Sequence, residues 1–186
     1  MPEYYFDIET VPLESFRGEE KAGTVPSKAK IVTIQYQQLH SVTGKPVGDL
    51  QILKEWEIGE QEMVEQFKKI YLDKGVWNFI PVGNNLAFES QFMKSKLKQY
   101  CNLEGLRLGH RPMIDLKHVL VIANGGRFDG YSRFLGKSGL AKNMESWYFD
   151  GNYDNILNYV KKEAEDFVKG YCILKKELPR VITVQS

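Results

Sequence analysis

Residues 3–10 read Glu3-Tyr4-Tyr5-Phe6-Asp7-Ile8-Glu9-Thr10. In a β-strand, successive side chains alternate between two faces. Tyr4, Phe6 and Ile8 then share one face, and Tyr5, Asp7 and Glu9 share the other. The segment is apolar enough for a central place in a sheet, yet it sets two carboxylates side by side. Like charges held that close repel, and burying them is costly unless a cation compensates. The pattern is that of one half of a divalent-cation site. Two solvated charges on the exposed face of an edge strand would read the same way, so the rest of the chain has to supply partners.

Working outward, Pro12 and the polar run 17–28 read as a long surface loop. Residues 31–39 are rich in β-branched and aromatic side chains and predict a strand. Turn chemistry over 41–48 and a second strand over 50–58 make the pair a hairpin. Residues 60–72 carry Met63, Phe67 and Tyr71 at helical spacing. Residues 76–82, between Gly75 and Gly83, predict a buried strand, and 86–100 return to helical periodicity. A short strand over 111–114 leads into a helix from Asp115. Residues 125–142 hold glycine-punctuated turns around a helical piece at 131–135. Asp154 is a good N-cap for a last long helix running to about Lys176 and ended by Pro179, leaving 180–186 as a tail or short strand. The order predicts one α/β domain over residues 1–186, a mixed sheet with helices packed around it.

The composition, 42% hydrophobic and 26% charged over 186 residues, is that of an ordinary soluble globular chain. No apolar run approaches a membrane span, and Glu3 and Asp7 interrupt any signal-peptide pattern, so no membrane partner is expected. Cys101 and Cys172 are too few for a disulfide framework and read as reduced, half-buried helix residues. His40, His110 and His118 form no zinc motif. A cytoplasmic setting is the expectation.

The net charge is only +1, but it is unevenly spread. Residues 90–142 hold ten basic side chains (Lys94, Lys96, Lys98, Arg107, Arg111, Lys117, Arg127, Arg133, Lys137, Lys142) against three acids (Glu104, Asp115, Asp129). That segment is +7 and the remainder −6. A phosphate-binding channel beside an acidic metal cluster has this distribution; so do lysines on a solvated helix face.

Two further segments can partner Asp7 and Glu9. Val82-Gly83-Asn84-Asn85-Leu86-Ala87-Phe88-Glu89 lies where a buried strand meets a helix, the usual location of ligands in open α/β sheets. Asn84 and Asn85 can cap that helix or bind a ligand, and Glu89 sits in its first turn, where the helix dipole would also favour an acid. On the last helix, Tyr159, Glu163 and Asp166 share one face at spacings of four and three. A solvated Lys/Glu surface is the alternative there.

Together these segments resemble a known family. Phe-Asp-Ile-Glu-Thr at 6–10 is similar to the first motif of the DEDD, or DnaQ-like, 3′–5′ exonucleases. Gly-Asn-Asn-Leu-Ala-Phe-Glu at 83–89 resembles their second motif, and Tyr159 to Glu163 the Tyr-x-x-x-Asp third motif of the tyrosine subclass. That subclass includes ribonuclease D and the proofreading domains of family B DNA polymerases. The stretch from Met144 through Trp147 to Tyr159 also resembles the approach to that motif in family B domains. No histidine follows His118, which does not suit the histidine subclass.

The resemblance spans about residues 3–175. It implies a ribonuclease-H-like fold, a five-stranded mixed sheet with the first three strands antiparallel. It implies two divalent cations, Mg2+ or Mn2+, held by Asp7, Glu9, Glu89 and Glu163 or Asp166. Tyr159 would orient the attacking water, and Thr10, Asn85 and Phe88 would contact the 3′-terminal nucleotide of single-stranded DNA or RNA. The reaction implied is 3′–5′ exonucleolytic hydrolysis. Two departures stand out: Glu89 and Glu163 occupy positions where the family has aspartate. Each lengthens the arm by a methylene at a site whose ion demands near-octahedral geometry, which leaves a weakened binding module of the same fold as the alternative.

Overall fold

The computed structural model describes residues 1–73, 75–127 and 140–182. Five strands form one mixed sheet: β1 (Glu3–Pro12), β2 (Ala29–Leu39), β3 (Gln51–Lys54), β4 (Ile80–Gly83) and β5 (Ile114–Asp115), in the order β3-β2-β1-β4-β5. β1, β2 and β3 are antiparallel, whereas β4 runs parallel to β1 and β5 parallel to β4. The helices are α1 (Glu55–Ile58), α2 (Glu60–Tyr71), α3 (Leu86–Cys101), α4 (Leu116–Ala123), α5 (Met144–Phe149) and α6 (Tyr153–Ile182). This is the ribonuclease-H-like sheet expected from the sequence.

The alternation of β1 becomes two different layers. Phe6 and Ile8 enter a core with α2 and α3, where the Phe6 ring lies 5.1 Å from Phe67 and 5.5 Å from Tyr71. Tyr4 stacks on Phe79 at 4.3 Å on the same side. The other face meets α4 and α6, with Tyr5 5.0 Å from Phe167. A fully buried large apolar side chain contributes roughly 1.5–3 kcal/mol. The aromatic face therefore anchors β1 and leaves its other face free to carry charge.

Two polar clamps fasten the layers. Glu60 of α2 accepts from the Ile31 amide and the Tyr100 hydroxyl, each at 2.7 Å, and pairs with Lys96 at 3.1 Å. Lys96 is 2% exposed and also donates to the Ala29 carbonyl. At the far end of β1, Glu3 accepts from Tyr171 and Lys175 of α6, each at 2.7 Å.

β1 and β2 shift register beside the acidic residues. Glu9 pairs with Thr33 but Thr10 with Ile31, so Val32 is an extra residue on β2. Such a bulge re-aims side chains locally. Here it lets Ile31 and Ile34 both face the α2 side while Val32 joins the core beneath α5 and α6.

Several boundaries differ from expectation. The strand expected over 50–58 stops at Lys54 and becomes α1, because tertiary contacts hold that turn: Glu55 binds Lys30 and Tyr148, and Trp56 stacks on Tyr153 at 4.5 Å. Val76–Asn78 is a 3-10 turn with Trp77 exposed, so the strand expected over 76–82 is only Ile80–Gly83. The loop at 17–28 includes the short 3-10 turn Ala22–Thr24. α6 continues past Lys176 and through Pro179 to Ile182. A proline removes one main-chain donor, and near a helix end few such bonds remain to be broken. The helical piece expected at 131–135 lies outside the described residues, as do 183–186.

Candidate functional site

β1 delivers Asp7 and Glu9 to the face covered by α6. The apolar stripe Ile156, Val160, Ala164, Phe167 and Tyr171 sets the rotation of α6 against the sheet. That rotation buries the neighbouring Glu163, which is 7% exposed, above β1. One carboxylate oxygen from each of Asp7, Glu9 and Glu163 lies within 4.8 Å of the other two. Three carboxylates this close repel one another, and a hard divalent cation bound by oxygen ligands is the chemistry that such a donor set fits.

Two phenols border the trio. Tyr159 sits one turn before Glu163, with the Trp147 ring of α5 6.2 Å away. Burial pushes its pKa far above the usual tyrosine value, and the charges of Glu9 and Glu163, a hydrogen bond to Glu163 and the charge of Asp7 push it the same way. Tyr5, from β1 itself, donates to Asp7 Oδ2 at 3.2 Å. Its pKa is also raised, first by burial and then by Asp7, Glu163 and Glu9. Both phenols therefore stay neutral and act as hydrogen-bond donors. Tyr5 is absent from the motif set, yet strand parity with Asp7 and Glu9 places it on their face.

The other candidate residues are placed differently. Glu89, 4% exposed in the first turn of α3, lies outside the trio. α3 packs on the α2 side of the sheet, and there burial pushes up the Tyr71 pKa with the Glu89 charge adding to it. Asp166 also lies outside the trio; it pairs with Lys162 at 2.6 Å and Lys169 at 3.5 Å, and the Lys162 hydrogen bond holds its pKa down. The Thr10 hydroxyl donates to the Gly23 carbonyl at 2.6 Å. Phe88 packs against Phe92 at 4.8 Å, half-buried at the edge of the aromatic core.

Asn85 holds the left-handed backbone that Asn tolerates, at φ 70°. It does not cap α3 with its side chain, as the sequence suggested. Asp115, at the end of β5, accepts from the Asn85 and Leu86 amides at 2.8 and 2.9 Å, and from Lys117 N at 3.0 Å. The Asn85 side chain instead accepts from Lys117 Nζ at 2.8 Å. Just before it, a Cβ on Gly83 would fall 2.8 Å from the Phe6 carbonyl oxygen and 2.6 Å from Leu86, so glycine permits the close approach of β4 to β1.

The basic segment is less uniform than its charge count. Lys96 is the buried partner of Glu60, and Arg111, 7% exposed, donates to the Tyr71 and Phe79 carbonyls. Lys98 pairs with Glu104 at 3.0 Å. Arg133 and Lys137 lie outside the described residues.

Among solved structures, the fold is similar to that of Escherichia coli exonuclease I in complex with a dT13 oligonucleotide, at 12% identity and a TM-score of 0.50. The match covers 69% of this chain and 31% of that one. Exonuclease I in complex with the inhibitor BCBP matches at 11% identity over 74% of this chain and 31% of that chain, with a TM-score of 0.48. A moderately thermophilic exonuclease I from Methylocaldum szegediense matches at 16% over 74% and 30%, with a TM-score of 0.43. This chain thus spans under a third of the exonuclease I chains it resembles. No family model matches the sequence, and no curated protein matches it. Among the described residues, no helix is long and apolar enough to cross a membrane.

Proposed function

We propose that residues 1–186 form one catalytic domain of the DEDD type, tyrosine subclass, that hydrolyses single-stranded DNA or RNA from the 3′ end. One observation carries this reading: Asp7, Glu9 and Glu163 converge within 4.8 Å, with neutral Tyr159 one helical turn before Glu163, on a sheet of the exonuclease I type. Divalent cations, Mg2+ or Mn2+, bound there would neutralise the carboxylates, lower the pKa of a water and stabilise the leaving oxygen. The three carboxylates hold the charge in place. Tyr159, unable to ionise at neutral pH, orients water as a donor rather than removing its proton. The fourth carboxylate of a two-cation set would be Glu89, which lies outside the trio, and the 3′ nucleotide would lie against Asn85, Phe88 and the Glu9–Thr10 backbone. The free cysteines suit a reducing, cytoplasmic setting.

The position of Glu89 outside the trio favours a second reading, a nucleic-acid-binding module with a weakened site. One experiment separates the two. A 5′-labelled oligonucleotide is incubated with Mg2+ or Mn2+, with and without chelator, alongside Asp7→Asn. A chelator-sensitive ladder shortening from the 3′ end and lost in Asp7→Asn is expected. Intact oligonucleotide under both metals, with retained binding, would leave the module.

A further inference from the structure

Next to the acidic residues, β2 buries two polar side chains that the structure leaves without hydrogen bonds. Gln35 and Thr33 are each 0% exposed. Gln35 Nε2 and Oε1 and Thr33 Oγ1 have no hydrogen-bond partner. Buried amides and hydroxyls are nearly always paired, because an unmade bond forfeits the hydration lost on burial. Three orphaned atoms on neighbouring positions of one strand therefore call for a cause.

Register supplies it. Gln35 is the direct cross-strand partner of Asp7, and Thr33 is the partner of Glu9. Directly paired residues of antiparallel strands project from the same face, with Cβ atoms about 4.5–5.5 Å apart. The amide thus stands beside the Asp7 carboxylate and the hydroxyl beside Glu9, both on the α6 side of the sheet. Their β3 neighbours do not use them: Gln35 is flanked on its other side by Ile52 and Thr33 by Lys54. Tyr5 already gives Asp7 one donor from the same strand.

We propose that Gln35 and Thr33 are positioning residues, the outer hydrogen-bonding layer of the Asp7–Glu9–Glu163 cation site. The inference rests on the cation-binding reading above. If a cation were held there, Gln35 Nε2 would donate to Asp7 and Thr33 Oγ1 to Glu9, orienting the two carboxylates that hold it. Partners of this kind govern metal affinity because they set ligand orientation before the ion arrives. Left unpaired where they are buried, these polar atoms lower the stability of the fold.

Gln35→Met and Thr33→Val keep side-chain size while removing the polar atoms. Mn2+ binding is followed by the EPR signal of free ion, and Tm is measured in chelator. Gln35→Met is expected to weaken Mn2+ binding about tenfold, and Thr33→Val to weaken it less. The Tm of both variants in chelator is expected to equal or exceed that of the unsubstituted protein. Unchanged Mn2+ affinity in both variants, with binding still abolished by Asp7→Asn, overturns this inference alone. A lower Tm in chelator with unchanged affinity likewise overturns it, since the groups would then serve only the fold. If Gln35→Met does not fold, Thr33→Val decides by its Mn2+ affinity. Failure of the unsubstituted protein to bind Mn2+ overturns this inference and the proposed function together.

Discussion

Two charge clusters on opposite faces of the sheet are treated in opposite ways. On the α2 side of the sheet, Glu60 and Lys96 form a pair at 3.1 Å whose remaining bonds go to Ile31, Tyr100 and Ala29. On the α6 side, Asp7, Glu9 and Glu163 converge with the same sign. The first cluster is neutral in sum and ties β2 to two helices. The second concentrates negative charge that the fold could avoid by substituting amides. A paired buried charge is a structural fastener, whereas gathered like charges are tolerated when a ligand of opposite sign completes them.

Neutralising one member of each cluster should therefore have opposite effects on stability. Asp7→Asn is expected to lower metal-dependent cleavage by on the order of a thousandfold, and to raise Tm in chelator by relieving repulsion. A lower Tm would mean that the trio is a structural network like the Glu60 clamp. Lys96→Met leaves Glu60 buried without its cation and should cost about 3–5 kcal/mol in urea unfolding. An unchanged midpoint would break the contrast from the other side.

Smaller effects sharpen it. Tyr159→Phe removes a neutral donor from the trio and should slow turnover about a hundredfold with little change in Tm. A rate unchanged across the pH range would remove Tyr159 from the site. Saturating Mn2+ at a hundred times its dissociation constant should stabilise the protein by about 2.7 kcal/mol, and Asp7→Asn should abolish that increment while Lys96→Met keeps it.

The smallest effect is at alkaline pH. Tyr5, Tyr36, Tyr71, Tyr100, Tyr148, Tyr159 and Tyr171 all have raised pKa values in the fold, burial being the first cause in each. Their contribution to stability is complete below the unfolded value of about 10 and declines as pH rises past it, since only the unfolded chain then releases those protons. Absorbance titration at 295 nm should show most of the phenolate signal appearing together with unfolding. Gradual ionisation of all ten tyrosines in the folded protein would contradict this.

Much of this was legible in the sequence because strand and helix periodicities are local. Parity alone put Tyr5, Asp7 and Glu9 on one face, and the spacing of Tyr159 and Glu163 put them on one side of α6. The hairpin of β2 and β3 followed from turn chemistry between two β-rich runs. Less legible were features whose cause lies far along the chain. By spacing from Tyr159, Glu163 is the favoured ligand and Asp166, on the same face, the alternative; the rotation of α6 decides it, turning Glu163 toward β1 and leaving Asp166 to Lys162 and Lys169. The cap of α3 comes from Asp115, about thirty positions away, rather than from the adjacent asparagines. α1 replaced the end of a strand because Tyr148 and Tyr153 hold Glu55 and Trp56.

The sequence by itself determined that the opening strand is two-faced, and that one face carries the acids a cation would need. Alternation is a property of the extended backbone and requires no partner to be known. Only the tertiary structure decided which distant carboxylate meets them, and that Gln35 and Thr33 stand beside them. Those outcomes depend on helix rotation and on a bulge that shifts strand register, both set by how the whole apolar core packs rather than by any local run of residues.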